Sequence, residues 1–412
     1  MMKLLQAFKF ELMPNGEQKR DMRRFAGARR FVYNRALDIQ KTNYTAGGKL
    51  IGYVDMANRI PEWKKEFPWL KESPSQALHQ SLKDAERAFK NFFEKPVSFP
   101  RFKKRGVGDS FRFPQGFEID KANHHIKFPK SGQMRYRNSM VILDTAKNIT
   151  VSQSGGKLFA SIQTEREIEQ PIQSATNAIG IDIGIVRFAT LSDGSFIAPL
   201  GSFKKHEQRL ARYQRRMSHK VKFSKNWLKA KRRVQKIHTR ISNARKDFLH
   251  NATTEISKNH AMVAIEDLQV SNMSKSSAGT TETAGKNVAA KSGLNKSILD
   301  QGWFEFRRQL EYKLNWNGGI LVPVPAHYTS QICPACGHVA KENRKTQAKF
   351  VCMDCGHEEN ADVVGAKNVL ARWHRVLACG EDGSGSGRKT KVKPALMKQE
   401  PTESTIREAT HA

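Results

Sequence analysis

Alternating apolar and polar residues begin the chain. Phe8, Phe10 and Leu12 fall on one face of an extended segment, and Lys9 and Glu11 fall on the other, which predicts a β-strand. The periodicity and the turn residues that follow predict, in order, a helical stretch at about 17–45, a helix that begins near 73, a β-rich unit at about 110–172, strands at 178–185, 188–191 and 196–200, helices within 203–250, a strand at 261–265, a mobile segment at 271–295, a helix at about 298–316, a strand at 319–324 and a last helix at about 361–375. We expect the β-rich unit to pair with the first strand.

The start of the second predicted helix carries a capping signature. Ser73-Pro74-Ser75-Gln76 has the order of an N-cap serine, a first-turn proline and a capping-box glutamine. The sequence therefore predicts that Ser73 caps this helix.

Net charge narrows the range of partners. The 412 residues include 71 Lys and Arg against 39 Asp and Glu, a formal net charge of +32, which predicts a polyanionic partner such as nucleic acid. The length predicts two or three domains at about 150 residues each. No run of 18 apolar residues suggests a transmembrane helix, and the N-terminus lacks the apolar region of a signal peptide. We therefore expect a cytoplasmic protein without a membrane partner.

Three groups of residues are candidates for contacts to nucleic acid. The region 203–250 holds 17 Lys and Arg but only two Asp and Glu, so cations there cannot all be paired within it and phosphate binding is expected. In 99–105, aromatic residues are interleaved with cations. On the helix near 73, a polar stripe is either plain solvent surface or a set of side chains that read base edges. The candidates are Arg232 and Arg233, then Arg101, Lys103 and Lys104, then Gln76, His79 and Lys83.

Four of the five cysteines form two C-x2-C pairs separated by 15 residues, a spacing typical of zinc sites. Each pair ends Cys-Gly-His, and the glycine permits the tight turn that directs both thiolates to one ion. Four thiolates close a tetrahedron and leave no open position, so we predict a structural zinc ion rather than a catalytic one. The predicted ligands are Cys333, Cys336, Cys352 and Cys355.

Three acidic residues occupy unusual places. Asp182 lies inside an apolar strand and shares a face with Gly180 and Gly184, which we expect to clear space for a metal ion and a phosphate. Glu266 directly follows a buried strand, on the opposite face from its acidic neighbour. Asp362 lies in the first turn of the last helix, where the helix dipole favours a carboxylate.

Each acid has an ordinary explanation when it is considered alone. Asp182 could be a satisfied core carboxylate, Glu266 a solvated strand end and Asp362 a helix N-terminal charge. Their order along the chain is, however, the layout of an RNase H-like nuclease core. Carboxylates of that kind hold two divalent ions, and oxygen ligands with a phosphate substrate favour Mg²⁺ or Mn²⁺. We therefore predict that all three are catalytic and bind magnesium.

These motifs resemble those of the TnpB family, the insertion-sequence-encoded, RNA-guided DNA endonucleases ancestral to type V CRISPR effectors. The resemblance covers about residues 1–375 and includes the sequences around the three acids, the entry to the zinc module at 329–337, and segments 31–37 and 98–104. One departure is that Val364-Gly365-Ala366 replaces the Asn-Ala-Ala that is frequent in the final motif, whereas Asp362 and Asn368 are retained.

The resemblance implies a multidomain fold of α+β and α/β type. Its parts are a wedge-type β-barrel (1–12 and 106–175), an inserted helical recognition domain (13–105), an RNase H-like RuvC core (176–328 and 358–379), an inserted four-cysteine zinc ribbon (329–357) and a disordered C-terminal tail (380–412). It also implies a noncoding guide RNA from the transposon end, a double-stranded DNA target beside a short adjacent motif, one protein per guide RNA, and activity at the prokaryotic nucleoid.

Other functions are less consistent with the sequence. A nuclease-inactive, RNA-guided repressor of the same descent should lack at least one of the carboxylates, and all three are present. A non-enzymatic zinc-ribbon binder would not need a large core with acids in buried strands. A HUH-type transposase needs two histidines that flank one residue, and no histidine pair has that spacing.

Overall fold

The computed structural model describes residues 2–95, 97–169, 171, 173–280 and 283–379. The predicted disordered tail at 380–412 lies outside the described residues. Among those described, no helix combines the length and the apolar character needed to cross a membrane.

A seven-stranded antiparallel sheet combines the first strand of the chain with six strands between residues 110 and 168. Its strands are β1 (Met2–Met13), β2 (Ser110–Phe113), β3 (Glu118–Asp120), β4 (His125–Phe128), β5 (Gly132–Tyr136), β6 (Thr145–Ser154) and β7 (Lys157–Ile168), in the order β2-β6-β7-β1-β5-β4-β3. The register of β1 on β7 runs from Met2 opposite Ile168 to Leu12 opposite Leu158. The predicted pairing of the first strand with the β-rich unit is therefore confirmed.

Period-two burial explains how this sheet packs. Phe8, Phe10 and Leu12 of β1 all lie in one core, as the alternation predicted. The sheet curls around that core, because the rings of Phe113 in β2 and Phe128 in β4 approach to 5.6 Å between centroids.

A helical unit is inserted between β1 and β2. It consists of α1 (Gly16–Thr45), α2 (Tyr53–Ala57), α3 (Ile60–Glu66), a 3₁₀ turn (Pro68–Glu72) and α4 (Ser75–Glu94). Asn15 caps α1 through a reciprocal capping box with Gln18. The predicted cap of α4 is wrong: Pro74 takes the N-cap position and no side chain caps the helix, since α4 begins one residue later than the signature indicated.

A second, five-stranded sheet contains the apolar strands of the C-terminal half. It comprises β8 (Ala178–Ile183), β9 (Ala189–Leu191), β10 (Phe196–Ile197), β11 (Met262–Glu266) and β12 (Ile320–Val324), in the order β10-β9-β8-β11-β12. β8, β11 and β12 are parallel, whereas β9 and β10 are antiparallel to their neighbours. β10 is shorter than the strand predicted at 196–200.

In the described part of the chain, six helices accompany this sheet. They are α5 (Ser202–Ser218), α6 (Lys225–Asn259), α7 (Val270–Met273), α8 (Val288–Gln301), α9 (Trp303–Asn317) and α10 (Ala361–Cys379). The helix predicted at 298–316 is in fact two helices, because Gly302 has a φ of +77° and ends α8 before α9 begins. The segment predicted as mobile, 271–295, includes α7 and the start of α8.

The two faces of the five-stranded sheet are covered differently. Apolar residues of α6 and α9, including Leu249, Phe306 and Leu310, pack on the face that Ile181 and Ile265 present. On the other face, Ala264 of β11 packs with Val369 and Trp373 of α10. Side chains alternate between the two faces of a strand, so residues two positions from Gly180 in β8 or from Ala264 in β11 also lie on the face that α10 covers.

Close packing of α10 requires a glycine in β8. A Cβ placed on Gly180 would lie 2.2 Å from the carbonyl oxygen of Ala366 and 2.8 Å from the Cβ of Leu370. The backbone oxygen cannot move without the helix, so no larger residue fits there.

We predict that Gly180→Ala destabilises the protein by about 1–3 kcal/mol or more, the usual range for overpacking, measured as a lower thermal midpoint. Gly293→Ala is the matched control. Gly293 lies in α8, and a Cβ added there would have no atom within 4 Å beyond its chain neighbours and the backbone of its own helix, so alanine should be neutral or slightly stabilising. Equal midpoints for the two variants would contradict this account of α10 packing.

Candidate nuclease site

Two carboxylates meet at the carboxyl ends of adjacent parallel strands. Ile181 of β8 is the register partner of Ile265 of β11, so Asp182 and Glu266 are the next residues on neighbouring strands. Asp182 is two residues from Gly180, and Glu266 is two residues from Ala264, so both share the face that α10 covers. α10 begins at Ala361 and places Asp362 in its first turn, at the same edge.

The charges of Glu266 and Asp362 both act on the buried Asp182 carboxyl group. Burial raises the pKa of Asp182 to about 8, and the neighbouring charges of Glu266 and Asp362 act in the same direction. Burial and nearby negative charges both make ionisation of a carboxyl group less favourable, and a nearby cation would offset them.

Glu266 accepts a hydrogen bond from the start of the segment 329–357, the cysteine module. Thr329 donates its hydroxyl to Glu266 Oε1 at 2.7 Å. Burial raises the pKa of Glu266, and this hydrogen bond opposes the rise. Its neighbour Asp267 faces the other way and pairs with Arg307 of α9, so the predicted separation of these two acids onto opposite faces is confirmed.

Asp362 is fixed through the residues that precede α10. Its backbone N–H donates to Asn360 Oδ1 at 3.1 Å. Arg187, in the turn between β8 and β9, donates to the same oxygen at 3.5 Å while its guanidinium lies over the Phe196 ring. The β8–β9 turn and the start of α10 are thereby linked beside the carboxylates.

Arg344 is a site residue that the sequence did not indicate. It comes from the cysteine module, and its Nη2 lies 3.6 Å from Asp362 Oδ1. Its charge also lowers the pKa of both Asp182 and Glu266. Nothing in the residues around position 344 marks it, because the contact exists only once the module folds back on α10.

Glycines near Asp182 have a different role from the predicted one. Gly180 admits the backbone of α10 and does not clear space for a metal ion and phosphate, so that interpretation was wrong. A Cβ on Gly184 would lie 3.0 Å from the carbonyl oxygen of Arg187. The glycine that does face the carboxylate is Gly365 of α10, where a Cβ would lie 2.9 Å from Asp182 Oδ2. Gly365, one of the residues that differ from the usual final motif, therefore lies directly against the site.

The retained Asn368 joins α10 to the root of the cysteine module. Its side-chain amide donates to the carbonyl oxygens of Thr329 and Ile332, each at 2.7 Å. Because Thr329 also bonds Glu266, one chain of hydrogen bonds runs from α10 through the module to a carboxylate.

The four predicted cysteines come together. The sulfur atoms of Cys333 and Cys355 are 3.7 Å apart and those of Cys336 and Cys352 are 3.5 Å apart, and all four Sγ atoms lie within 4.8 Å of one another. These distances exceed a disulfide bond and approach the sulfur separation of about 3.8 Å that a tetrahedron with Zn–S bonds of about 2.3 Å requires. The donor set therefore fits zinc.

The two Cys-Gly-His turns have the backbone that the sequence predicted. Gly337 and Gly356 have φ values of +80° and +74°, which favour glycine. Cys333 N–H donates to His338 O and Cys352 N–H donates to His357 O, both at 2.9 Å. The strand β13 (Lys349–Val351) lies between the two cysteine pairs and pairs with β14 (Glu358–Asn360), which leads directly into α10.

The candidate nucleic-acid residues lie on three separate elements. Arg232 and Arg233 are exposed on α6, with the Arg233 guanidinium 5.8 Å from the Tyr213 ring. Arg101 and Lys104 are exposed in the loop before β2, whereas Lys103 is half-buried over the Tyr33 ring at 4.3 Å. Burial lowers the pKa of Lys103.

The predicted polar stripe lies on α4 beside Tyr53 of α2. His79 Nδ1 is 3.2 Å from the Tyr53 hydroxyl, and the Lys83 ammonium lies 4.9 Å from the Tyr53 ring centroid. Burial, together with the charges of Lys64 and Lys83, lowers the pKa of His79. Gln76 Oε1 is buried and, within the described residues, has no hydrogen-bond partner.

Comparisons with known families match most of this architecture. The OrfB_IS605 family, described as "Probable transposase", matches residues 161–277, and a Cas12f1-like TNB domain matches 303–369. A helix-turn-helix family matches 1–49, where the structure has β1 followed by the single helix α1.

Two relatives match the chain almost from end to end. InsQ of Escherichia coli (strain K12), which is named as an RNA-guided DNA endonuclease, is 58% identical and covers 97% of this chain and 99% of its own. A Streptomyces pristinaespiralis protein with the same activity in its name is 32% identical, with 98% of both chains covered. A solved Cas12f1–sgRNA–target DNA complex has a protein of similar fold, with a TM-score of 0.54, 12% identity, and coverage of 89% of this chain and 99% of that one.

Proposed function

Because this chain belongs to the TnpB family, we propose that it is the RNA-guided DNA endonuclease of a transposable element. It binds a noncoding guide RNA from the element, pairs that RNA with double-stranded target DNA beside a short adjacent motif, and hydrolyses the DNA at a single RuvC site. It acts as one protein per guide RNA in the prokaryotic cytoplasm. Base pairing selects the sequence, and the protein holds the heteroduplex by its shape and backbone.

The observation that carries this proposal is the placement of Asp182, Glu266 and Asp362 at one edge of the five-stranded sheet, where the charges of the other two raise the pKa of Asp182. The three acids come from β8, β11 and α10, elements far apart in sequence. An apolar core has no need of three converging carboxylates, since like charges there cost stability. A nuclease-inactive repressor would have no reason to retain them, which favours the enzyme.

The oxygen-only donor set fits Mg²⁺ or Mn²⁺. When bound, two such ions activate water and stabilise the leaving oxygen. Asp182 and Glu266 would hold the ions on the sheet side and Asp362 on the helix side. Thr329 orients the Glu266 carboxylate, and Asn360 fixes the start of the helix that carries Asp362.

Arg344 contributes positive charge to the site before any metal ion binds, as Arg372 does beside Glu266. The Arg344 guanidinium lies beside Asp362, and an arginine at that place is also suited to a substrate phosphate. The cysteine module would thus do more than stabilise the fold, since it places the guanidinium group of Arg344 beside the carboxylates.

The remaining domains follow the proposed division of the chain. The curled seven-stranded sheet is the wedge-type β-barrel, the helical unit at 13–105 is the recognition domain, the five-stranded sheet with its helices is the RNase H-like core, and 329–357 is a zinc ribbon. The cations of 99–105 and of α6 would bind RNA or DNA phosphates, and the stripe on α4 would face the target-adjacent motif.

We predict that Asp182→Ala, Glu266→Ala and Asp362→Ala each lower the rate of Mg²⁺-dependent cleavage by at least about 10²-fold, because each removes a metal ligand. Guided DNA binding should persist. Asp267→Ala is the matched control. Asp267 lies next to Glu266 but forms an exposed ion pair with Arg307, and such a pair contributes little to stability. The measurement is single-turnover cleavage with binding followed separately. Near-normal cleavage by the Glu266 variant would contradict its assignment.

Arg344→Gln should slow single-turnover cleavage by about 10²-fold, the size expected for loss of one charge-stabilising group, with little change in affinity for target DNA. Arg344→Lys should recover part of the rate because it restores the charge without the planar guanidinium. If both variants lost zinc or unfolded, the effect would be structural, so zinc content is measured in parallel. Equal loss of rate in the two variants with zinc retained would contradict a role for the charge.

The purified protein should contain about one zinc ion per chain, as closed four-cysteine sites do. Cys333→Ser should lower the zinc content and, since the module supplies Thr329 and Arg344, should reduce cleavage as well. Elemental analysis of unchelated protein measures the metal. Protein that contains no zinc yet cleaves DNA normally would rule out the proposed ribbon.

A further inference from the structure

The turn between α5 and α6 places a strained aromatic residue at its tip. Ser224 N–H donates to Val221 O at 3.1 Å, which closes a four-residue turn, and Phe223 is its third residue with a φ of +70°. That position of such a turn favours glycine, because other residues are strained in the left-handed region. Strain of this kind persists where the side chain has a use.

Packing does not explain the phenylalanine. Its side chain is 70% exposed, and that of Val221 is 80% exposed. The ring contacts Trp227 of α6 at 5.4 Å between centroids, tilted by 58°. The tip therefore presents aromatic surface to solvent at the end of a helical hairpin, far along α6 from the sheet that its other end covers.

The opposite end of the hairpin is firmly attached. Asp300 of α8 accepts hydrogen bonds from Phe203 N–H at 2.9 Å and from Arg245 at 2.7 Å. Leu210, Ile237 and the residues around them join α5 to α6. The two helices that carry the turn are thus anchored to the rest of the protein at their far end.

Lysines lie against both rings of the aromatic pair. The Lys222 ammonium lies 5.5 Å from the Phe223 ring and the Lys231 ammonium lies 5.0 Å from the Trp227 ring. No acidic residue occurs from 208 to 246, and none of the ion pairs among the described residues involves a cation between 209 and 240. The charge of the hairpin is complementary to phosphate, not to another copy of this basic chain.

We propose that Phe223 and Trp227 form a stacking site for an unpaired base of the guide RNA, with the flanking lysines on its phosphates. Every base offers a π face to an aromatic ring, and cations along the strand supply the salt-dependent part of the affinity. The assignment to RNA rests on the proposed function, in which the guide accompanies the protein before the DNA target arrives.

The decisive variant is Phe223→Gly, since glycine removes the ring and also relieves the strain. It should weaken binding of the guide RNA by about fivefold or more, the range for loss of one stacked base, while the thermal midpoint stays the same or rises. Phe223→Trp should keep the affinity. Phe304→Ser removes an equally exposed ring, 72% exposed on α9, and should leave the affinity unchanged.

The probe is the RNA that co-purifies with the full-length protein, sequenced and then transcribed. Salt titrations separate stacking from charge: Phe223→Gly should lower the affinity without changing the salt slope, whereas Arg232→Gln with Arg233→Gln should reduce the slope by up to about 2. Target DNA binding by the assembled RNA complex should not respond to Phe223→Gly.

Three results would overturn the inference. One is unchanged RNA affinity in Phe223→Gly while guided cleavage proceeds, which leaves the proposed function intact. The second is an effect confined to DNA binding by the complex. The third is concentration-dependent dimerisation of the unaltered protein that Phe223→Gly abolishes, which would assign the tip to a second copy. Failure of the unaltered protein to bind any RNA would overturn the proposed function as well.

Discussion

The packing of α10 against the five-stranded sheet is the contact on which the candidate site depends. Gly180 allows the helix backbone to approach β8, and Ala264 with Val369 completes that contact on β11. The same approach brings Asp362 to the edge where Asp182 and Glu266 lie. A side chain at position 180 would push the helix away, so one missing Cβ fixes the distance between the carboxylates of the sheet and that of the helix.

That packing also explains why the cysteine module belongs to the site. The module leaves the sheet after β12 and returns directly into α10, so its two ends are both anchored beside the carboxylates. Asn368 holds the outgoing end through Thr329 and Ile332. A small core of Phe350, Cys352 and Val364 joins the returning end to the helix. Metal at the four sulfur atoms would thus stabilise the residues that hold the acids in place, including the bond from Thr329 to Glu266.

Much of this was predictable from the sequence because the signals were local. Period-two alternation identified the buried face of β1, and short apolar runs identified β8 and β11, so Asp182 could be placed within one buried strand and Glu266 directly after another. The cysteine spacing predicted the four-sulfur cluster. The contact of Arg344 with Asp362 was not predictable, because it joins residues whose proximity depends on the fold of the module. The role of Gly180 was misjudged for the same reason: a glycine shows that space is needed, but not what fills it.

The three candidate acids and the cations of α5 and α6 lie in opposite kinds of surroundings. Acids converge where water is largely excluded, so their mutual repulsion is strong and a bound cation would relieve it. Cations instead cover the exposed hairpin, where repulsion is screened by salt and a polyanion replaces many counterions at once. The C-terminal part of α6 packs on the sheet, and its N-terminal part carries many of the cations. One helix therefore links the buried region of the acids to the exposed region of the cations. Phosphates bound along it would therefore be held in a fixed relation to the carboxylates, which is what cleavage at a defined position requires.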